Sequence, residues 1–120
     1  MYAKAQVAGV NGMILLPDDW SASYYTLNNT NNTDAAFTSN IISASDWNSL
    51  EAHDAVFLPA AGYRYGTNAH DVGSYGGYWS ASFSGSDGAR YVGFRDGGLT
   101  PDHWGGRSYG PSVRLVRSAQ

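Results

Sequence analysis

Thirteen of the 15 glycines in this 120-residue chain fall after residue 60, interleaved with ten of its 17 aromatic residues. Punctuation of that density breaks helices, since glycine in a helix interior costs about 1 kcal/mol relative to alanine. It predicts short strands separated by many turns. The same mixture suits a surface made for contact. Tyrosine supplies a large, fairly rigid contact area at low entropic cost, while glycine and serine let the backbone adapt. The second half therefore reads as a binding surface rather than a catalytic pocket.

The length fits one domain over residues 1–120, large enough to bury a core without staples. With no cysteine, neither a disulfide framework nor a thiolate metal site is available. Net charge is −3, from 10 acidic and 7 basic side chains, which argues against a nucleic-acid partner. All six arginines nevertheless lie after residue 60, so that half is locally more basic. The longest apolar run, residues 13–16, is far short of the roughly 20 residues that span a bilayer, so no membrane insertion is expected. The N-terminus has one lysine and no apolar stretch of signal-peptide type.

Residues 12–17 read as a short buried strand stopped by Pro17, and residues 56–58 as a second stopped by Pro59. Residues 18–40 are polar and predict no stable helix, with residues 28–32 as an asparagine-rich loop. A short helix is predicted over residues 45–52, capped by Ser43 or Ser45, with Trp47 and Leu50 sharing a face. Residues 62–77 form a turn-rich excursion. Strands are predicted at residues 78–82, 90–94 and 112–117. In the middle one, period two places Val92 and Phe94 on one face and Tyr91, Gly93 and Arg95 on the other. The fold class is α+β, with little helix and long ordered loops.

Catalytic patterns are missing. There is no nucleophile elbow and no phosphate loop, and Gly73-Ser74-Tyr75-Gly76-Gly77 has the composition of a turn. No two of Asp18, Asp19, Asp87, Asp96 and Asp102 stand out as a hydrolytic pair. His53, His70 and His103 each adjoin an aspartate, but their spacing matches no chelating pattern and they read as solvated turn residues. No metal, cofactor or enzymatic activity is expected. Trp20, Trp47, Phe57, Trp79, Val92, Phe94 and Leu115 are the expected core, because they sit in apolar runs or at strand parity. Tyr63, Tyr65, Tyr75, Tyr109 and Trp104 fall among glycines and charges and are expected to be exposed.

Four segments occur in a telling order: Leu15-Leu16-Pro17-Asp18-Asp19-Trp20, Val56-Phe57-Leu58-Pro59-Ala60-Ala61-Gly62-Tyr63-Arg64, Tyr78-Trp79-Ser80-Ala81-Ser82 and Ser112-Val113-Arg114-Leu115-Val116-Arg117. Together they resemble bacterial domains of the Fibrobacter major-paralogous type, which have a C-type lectin-like fold. The resemblance is strongest to the variable proteins of diversity-generating retroelements. It covers most of the chain and implies a variable region at residues 62–117, on a domain that ends a larger protein at a cell surface or phage particle. Such retroelements mutate adenines and favour asparagine codons at the sites to be varied. Seven of the eight asparagines here precede residue 49, and only Asn68 follows residue 60. The second half is filled with products of that codon set.

What the resemblance implies is a varied face bearing Tyr63, Tyr65, His70, Tyr75, Gly77, Phe83, Ser84, Asp87, Tyr91, Gly93, Arg95, Asp102, His103, Ser108 and Tyr109. Trp104 departs from that pattern, since its codon is not reached from asparagine by adenine changes; it is either a fixed scaffold residue or derived from another codon, and it is counted with the anchors of the face. The partner would be a protein or surface ligand. Two other classes remain: a carbohydrate-binding adhesin domain without diversification, and a relative of formylglycine-generating enzymes, against which the lack of cysteine weighs. The triplets that bind calcium and sugar in calcium-dependent lectins are not present.

Overall fold

The computed structural model describes residues 1–65, 68–83, 88–106 and 109–110, with side chains at residues 1–63, 68–78 and 91–100. The expected strand at residues 112–117, with Leu115, lies outside them, as do Ser84, Asp87 and Ser108; Trp79 is placed through its backbone only. Among the described residues the domain is α+β, with one short α-helix and small, mostly antiparallel sheets.

The chain opens with a hairpin, β1 (Tyr2–Val7) and β2 (Val10–Leu15), closed by Ala8 and Gly9. Both turn residues have positive φ, 49° and 83°, the twist that a two-residue hairpin turn needs. After a 3-10 turn at Phe37–Ser39, β3 (Ile41–Ile42) pairs in parallel with β1. Helix α1 (Ala44–Glu51) follows, and β4 (Val56–Pro59) pairs with β2, giving the order β3-β1-β2-β4. Ser43 is the cap: its Oγ accepts the Asp46 N–H at 3.1 Å. Ser43→Ala is expected to lower the unfolding free energy by about 1 kcal/mol, read from urea denaturation.

This sheet is covered on both faces. On one side Ala5, Val7, Ile14, Leu16 and Ile42 pack with Leu50 of α1, flanked by the partly buried Trp20, Trp47 and Phe57. On the other, Met13 and Leu58 pack with Phe37, Tyr78 and Phe94, with Val92 at the margin. Each fully buried side chain of this size contributes about 1.5–3 kcal/mol. Phe94 is thus core, as expected, while Trp20, Trp47, Phe57 and Val92 are partly buried around it.

The second half adds two small sheets. β5 (Tyr63–Tyr65) and β6 (Asn68–His70) form a hairpin, and β10 (Tyr109–Gly110) pairs with β5. The excursion over residues 62–77 is therefore partly strand. β7 (Tyr75–Phe83), β8 (Gly88–Arg95) and β9 (Gly98–Gly106) make an antiparallel sheet. A Gly62–Gly76 bridge and the Gly62 N–H to Tyr75 carbonyl bond (2.7 Å) hold the hairpin beside β7.

One buried charge ties the halves together. Lys4 is 0% exposed, and its Nζ donates to the carbonyls of Thr33 (2.7 Å), Arg95 (2.6 Å) and Gly98 (2.7 Å). These three bonds use all three ammonium donors. The same β8–β9 turn is gripped twice more: the Phe37 N–H donates to Asp96 Oδ1 (2.6 Å) and the Gly97 N–H to the Ala35 carbonyl (3.2 Å).

Candidate functional site

The register of β7, β8 and β9 sorts one face of the sheet into cross-strand rows. Tyr75, Arg95 and Gly98 form the first, Gly77, Gly93 and Thr100 the second, and Trp79, Tyr91 and His103 the third. The predicted alternation is met: Phe94 points into the core, and Val92 packs against it. β9 reaches the third row through an irregularity opposite Val92, since Gly93 pairs with Thr100 but Tyr91 with His103. An extra residue there, next to Pro101, is tolerated because a bulge leaves it unpaired.

Outward parity does not make every residue on this face accessible. Tyr91 is 8% exposed, and Gly77 and Gly93 are buried. This corrects the expectation that all three are displayed. The physical reason is Tyr75, whose side chain crosses the glycine row. A Cβ on Gly93 would collide with the Tyr75 hydroxyl, and one on Gly77 would lie 3.2 Å from its ring. Tyr75 is itself half-buried and hydrogen-bonds Tyr91 through its side chain. Its expected full exposure is corrected on the same ground.

The neighbouring hairpin extends the aromatic surface. Tyr63 and His70 are register partners, and their rings stack at 5.3 Å and 22°. Tyr63 meets Tyr75 edge to face at 5.8 Å, a favoured geometry for aromatic pairs. Tyr63 and His70 are half-buried, whereas Arg95 is exposed. Thus Tyr63, His70, Tyr75, Tyr91 and Arg95, drawn from two sheets, come together. At their edge lies a cleft of ≈ 190 Å³ whose lining includes Tyr75, Arg95, Leu99 and Thr100. Leu99 and Thr100 were missed in the sequence, because Gly98-Leu99-Thr100-Pro101 has no strand signature.

The remaining expected positions are placed through their backbones. Tyr65 pairs with both Asn68 and Tyr109, Phe83 with Ala89, His103 with Tyr91 and Trp104 with Arg90. Asp102 sits in the irregular stretch of β9.

Burial, and after it the hydrogen bond to Tyr91, hold the Tyr75 phenol well above the ordinary 10.0. An unfolded chain ionises at the ordinary value while the folded one keeps its proton. The resulting stability is complete below pH 10.0 and is lost as pH rises from there towards the folded value. Tyr75→Phe is therefore expected to flatten the alkaline fall in urea midpoint relative to the unaltered protein. A slope unchanged above about pH 10 would remove Tyr75 from that role.

A second aromatic group lies outside the expected site. Tyr24 stacks on His53 at 3.9 Å and 4°, and Trp20 meets Tyr24 edge-on at 5.4 Å. His53, read as a solvated turn residue, is exposed but engaged with these rings. No group of three or more His, Cys, Asp or Glu side chains suited to a metal ion occurs among the described residues. None of their helices is long and apolar enough to cross a membrane.

The described fold and surface define a small α+β domain with an aromatic, arginine-edged face. The chain belongs to the family described as a domain of unknown function, DUF8237, which matches residues 20–116. No curated protein and no solved structure shows significant similarity to it.

Proposed function

We propose that this is a non-enzymatic ligand-binding domain on a C-type lectin-like scaffold, its second half diversified as in the variable proteins of retroelements. In this reading, displayed at a cell surface or on a phage particle, it recognises a protein or surface ligand through that half. The observation that carries it is the joining of Tyr63, His70 and Tyr75 with exposed Arg95 into one surface built from two sheets. Tyrosine and arginine are the side chains that most often anchor protein interfaces. Backbone pairing adds Tyr65 and Tyr109 beside that surface and His103 across from Tyr91.

The first half supports the division into scaffold and display. Its asparagines are structural parts. Asn40 Nδ2 donates to the carbonyls of Lys4 and Asn28, both at 2.9 Å, and its Oδ1 accepts the Asn28 N–H at 2.7 Å. Asn31 Oδ1 accepts the Tyr2 N–H at 3.0 Å, and Asn32 Oδ1 the Asp34 N–H at 2.9 Å. Asn31, Asn32 and Asn40 are thus held by folding, which fits a first half that serves as scaffold.

Two measurements test the reading. A near-copy of the codons for residues 62–117 beside a reverse-transcriptase gene, differing only at adenines, supports diversification; a neighbourhood without one removes that part. For binding, the Tyr63→Ala/His70→Ala double variant should lose at least about tenfold in affinity for the cell surface that the unaltered domain binds. Retained affinity would place the ligand elsewhere, and selective capture on a glycan array would favour the carbohydrate-binding alternative.

A further inference from the structure

The cleft at the edge of the aromatic face has a chemistry of its own. Its volume, ≈ 190 Å³, is below the roughly 300 Å³ at which pockets begin to hold whole small molecules, so it suits a single side chain. Two glycines shape it. Gly93 and Thr100 are register partners, so Thr100 faces a position without a side chain. A Cβ on Gly98 would stand 3.2 Å from Arg95 Nε, which places the Arg95 side chain over Gly98.

Among the described residues that line the cleft, Arg95 carries the one charge. Its backbone cannot drift, because the Arg95 and Gly98 carbonyls are both held by Lys4 Nζ. The carboxylate next to it in sequence, Asp96, is turned to the Phe37 N–H at 2.6 Å. The guanidinium is therefore set on a fixed base at an exposed rim. Thr100 adds a hydroxyl donor, and the half-buried Tyr75 ring adds an apolar wall, while Leu99, paired with Phe94, turns its side chain to the core.

A charged planar fork, a hydroxyl and an apolar wall within one small cleft match a carboxylate on a short methylene stem. We infer that the cleft receives a glutamate side chain of the protein ligand, its carboxylate paired with Arg95 and its stem against the Tyr75 ring. The inference rests on the reading of this face as a ligand-binding surface. Arginine fits the role because its fork can meet both carboxylate oxygens at once, whereas lysine offers a single point charge. The specificity belongs to this form of the chain. A different residue at position 95 would leave the Lys4 clamp in place, because that clamp uses the backbone carbonyl, and would change what the cleft accepts.

The test titrates the isotope-labelled domain with N-acetylglutamate methylamide, its glutamine counterpart and glucuronate, at fixed ionic strength. Saturable amide shifts at Gly93, Arg95, Gly98 and Thr100 are expected with the glutamate probe. They should be lost in Arg95→Gln and weakened several-fold in Arg95→Lys, with both variants melting as the unaltered domain does. Equal shifts with the glutamine probe, or none with either, overturn the carboxylate assignment. Stronger binding of glucuronate overturns the protein side chain in favour of an acidic sugar. The Tyr63→Ala/His70→Ala variant separates the two levels. If it loses cell-surface binding while the glutamate probe fails, the inference about the cleft falls and the binding face stands.

Discussion

Lys4→Met is expected to lower the unfolding free energy by about 3 kcal/mol, because it strands three partly buried carbonyl groups at once. Methionine keeps most of the stem's volume and removes a charge that is costly to bury. That part of the change is favourable: burial, with a smaller push from the Arg95 charge, already pulls the Lys4 ammonium below its ordinary range against the opposing pull of Asp96 and Asp34. The acceptors decide the sign. The carbonyls of Thr33, Arg95 and Gly98 lose donors at 2.6–2.7 Å, and an unpaired buried polar group costs about 1–3 kcal/mol. Lys4→Arg should not rescue the loss, since a planar guanidinium on a longer reach cannot copy three diverging ammonium bonds. Urea denaturation reads the effect, and amide exchange at Gly97 and Gly98 should accelerate with it. A loss below about 1 kcal/mol would mean that water replaces the ammonium and that the turn is held by Asp96 and Ala35 instead.

That lysine also shows why part of the fold was illegible. A polar residue alternating with Ala3, Ala5 and Val7 has the pattern of a solvent-facing position, and nothing in the chain announces that a second layer will cover it. The opening hairpin hid for a related reason: its turn is Ala8-Gly9, not the Asn-Gly or Asp-Gly that signals such turns, so Ala8 takes φ 49° without a local cue. β9 hid because Gly98, Pro101, Gly105 and Gly106 argue against a strand, and its pairing with β8 overrides that weak preference. By contrast, α1 with its Ser43 cap, the strands ending at Pro59 and Phe83, and the parity of Val92 and Phe94 were readable, because each rests on local periodicity or a capping side chain.

The site was legible to the same depth. Strand parity placed Tyr91, Gly93 and Arg95 on one face, but it carries no information about what lies across that face. Tyr75 enters from the neighbouring strand and covers the glycines, a contact between residues far apart in the chain. For the surface proposed above the consequence is direct: a side chain at Gly93 needs the Tyr75 hydroxyl to move, whereas one at Gly77 needs only a slight shift of the Tyr75 ring. Arg95, exposed over Gly98, is free of that coupling.

Gly62→Ala is expected to cost about 3 kcal/mol or more, by a mechanism that Gly73→Ala does not share. Both glycines have positive φ, 73° and 88°, so each substitution carries the left-handed penalty of roughly 1–2 kcal/mol. At Gly73 a Cβ would meet nothing within 4 Å. At Gly62 it would run into the His70 carbonyl oxygen and stand 2.9 Å from the Val72 nitrogen, both backbone atoms that cannot rotate away. Relief requires the end of β6 to move away from Gly62, which loosens the Tyr63–His70 pairing at the base of the hairpin and parts their stacked rings. The variant should therefore lose cell-surface binding together with stability, while Gly73→Ala loses only about 1–2 kcal/mol and binds as before. Paired denaturation and binding measurements on the two variants decide the matter. Equal costs would show that the hairpin accommodates a methyl at Gly62, and that close pairing of Tyr63 with His70 is not what aligns the aromatic face.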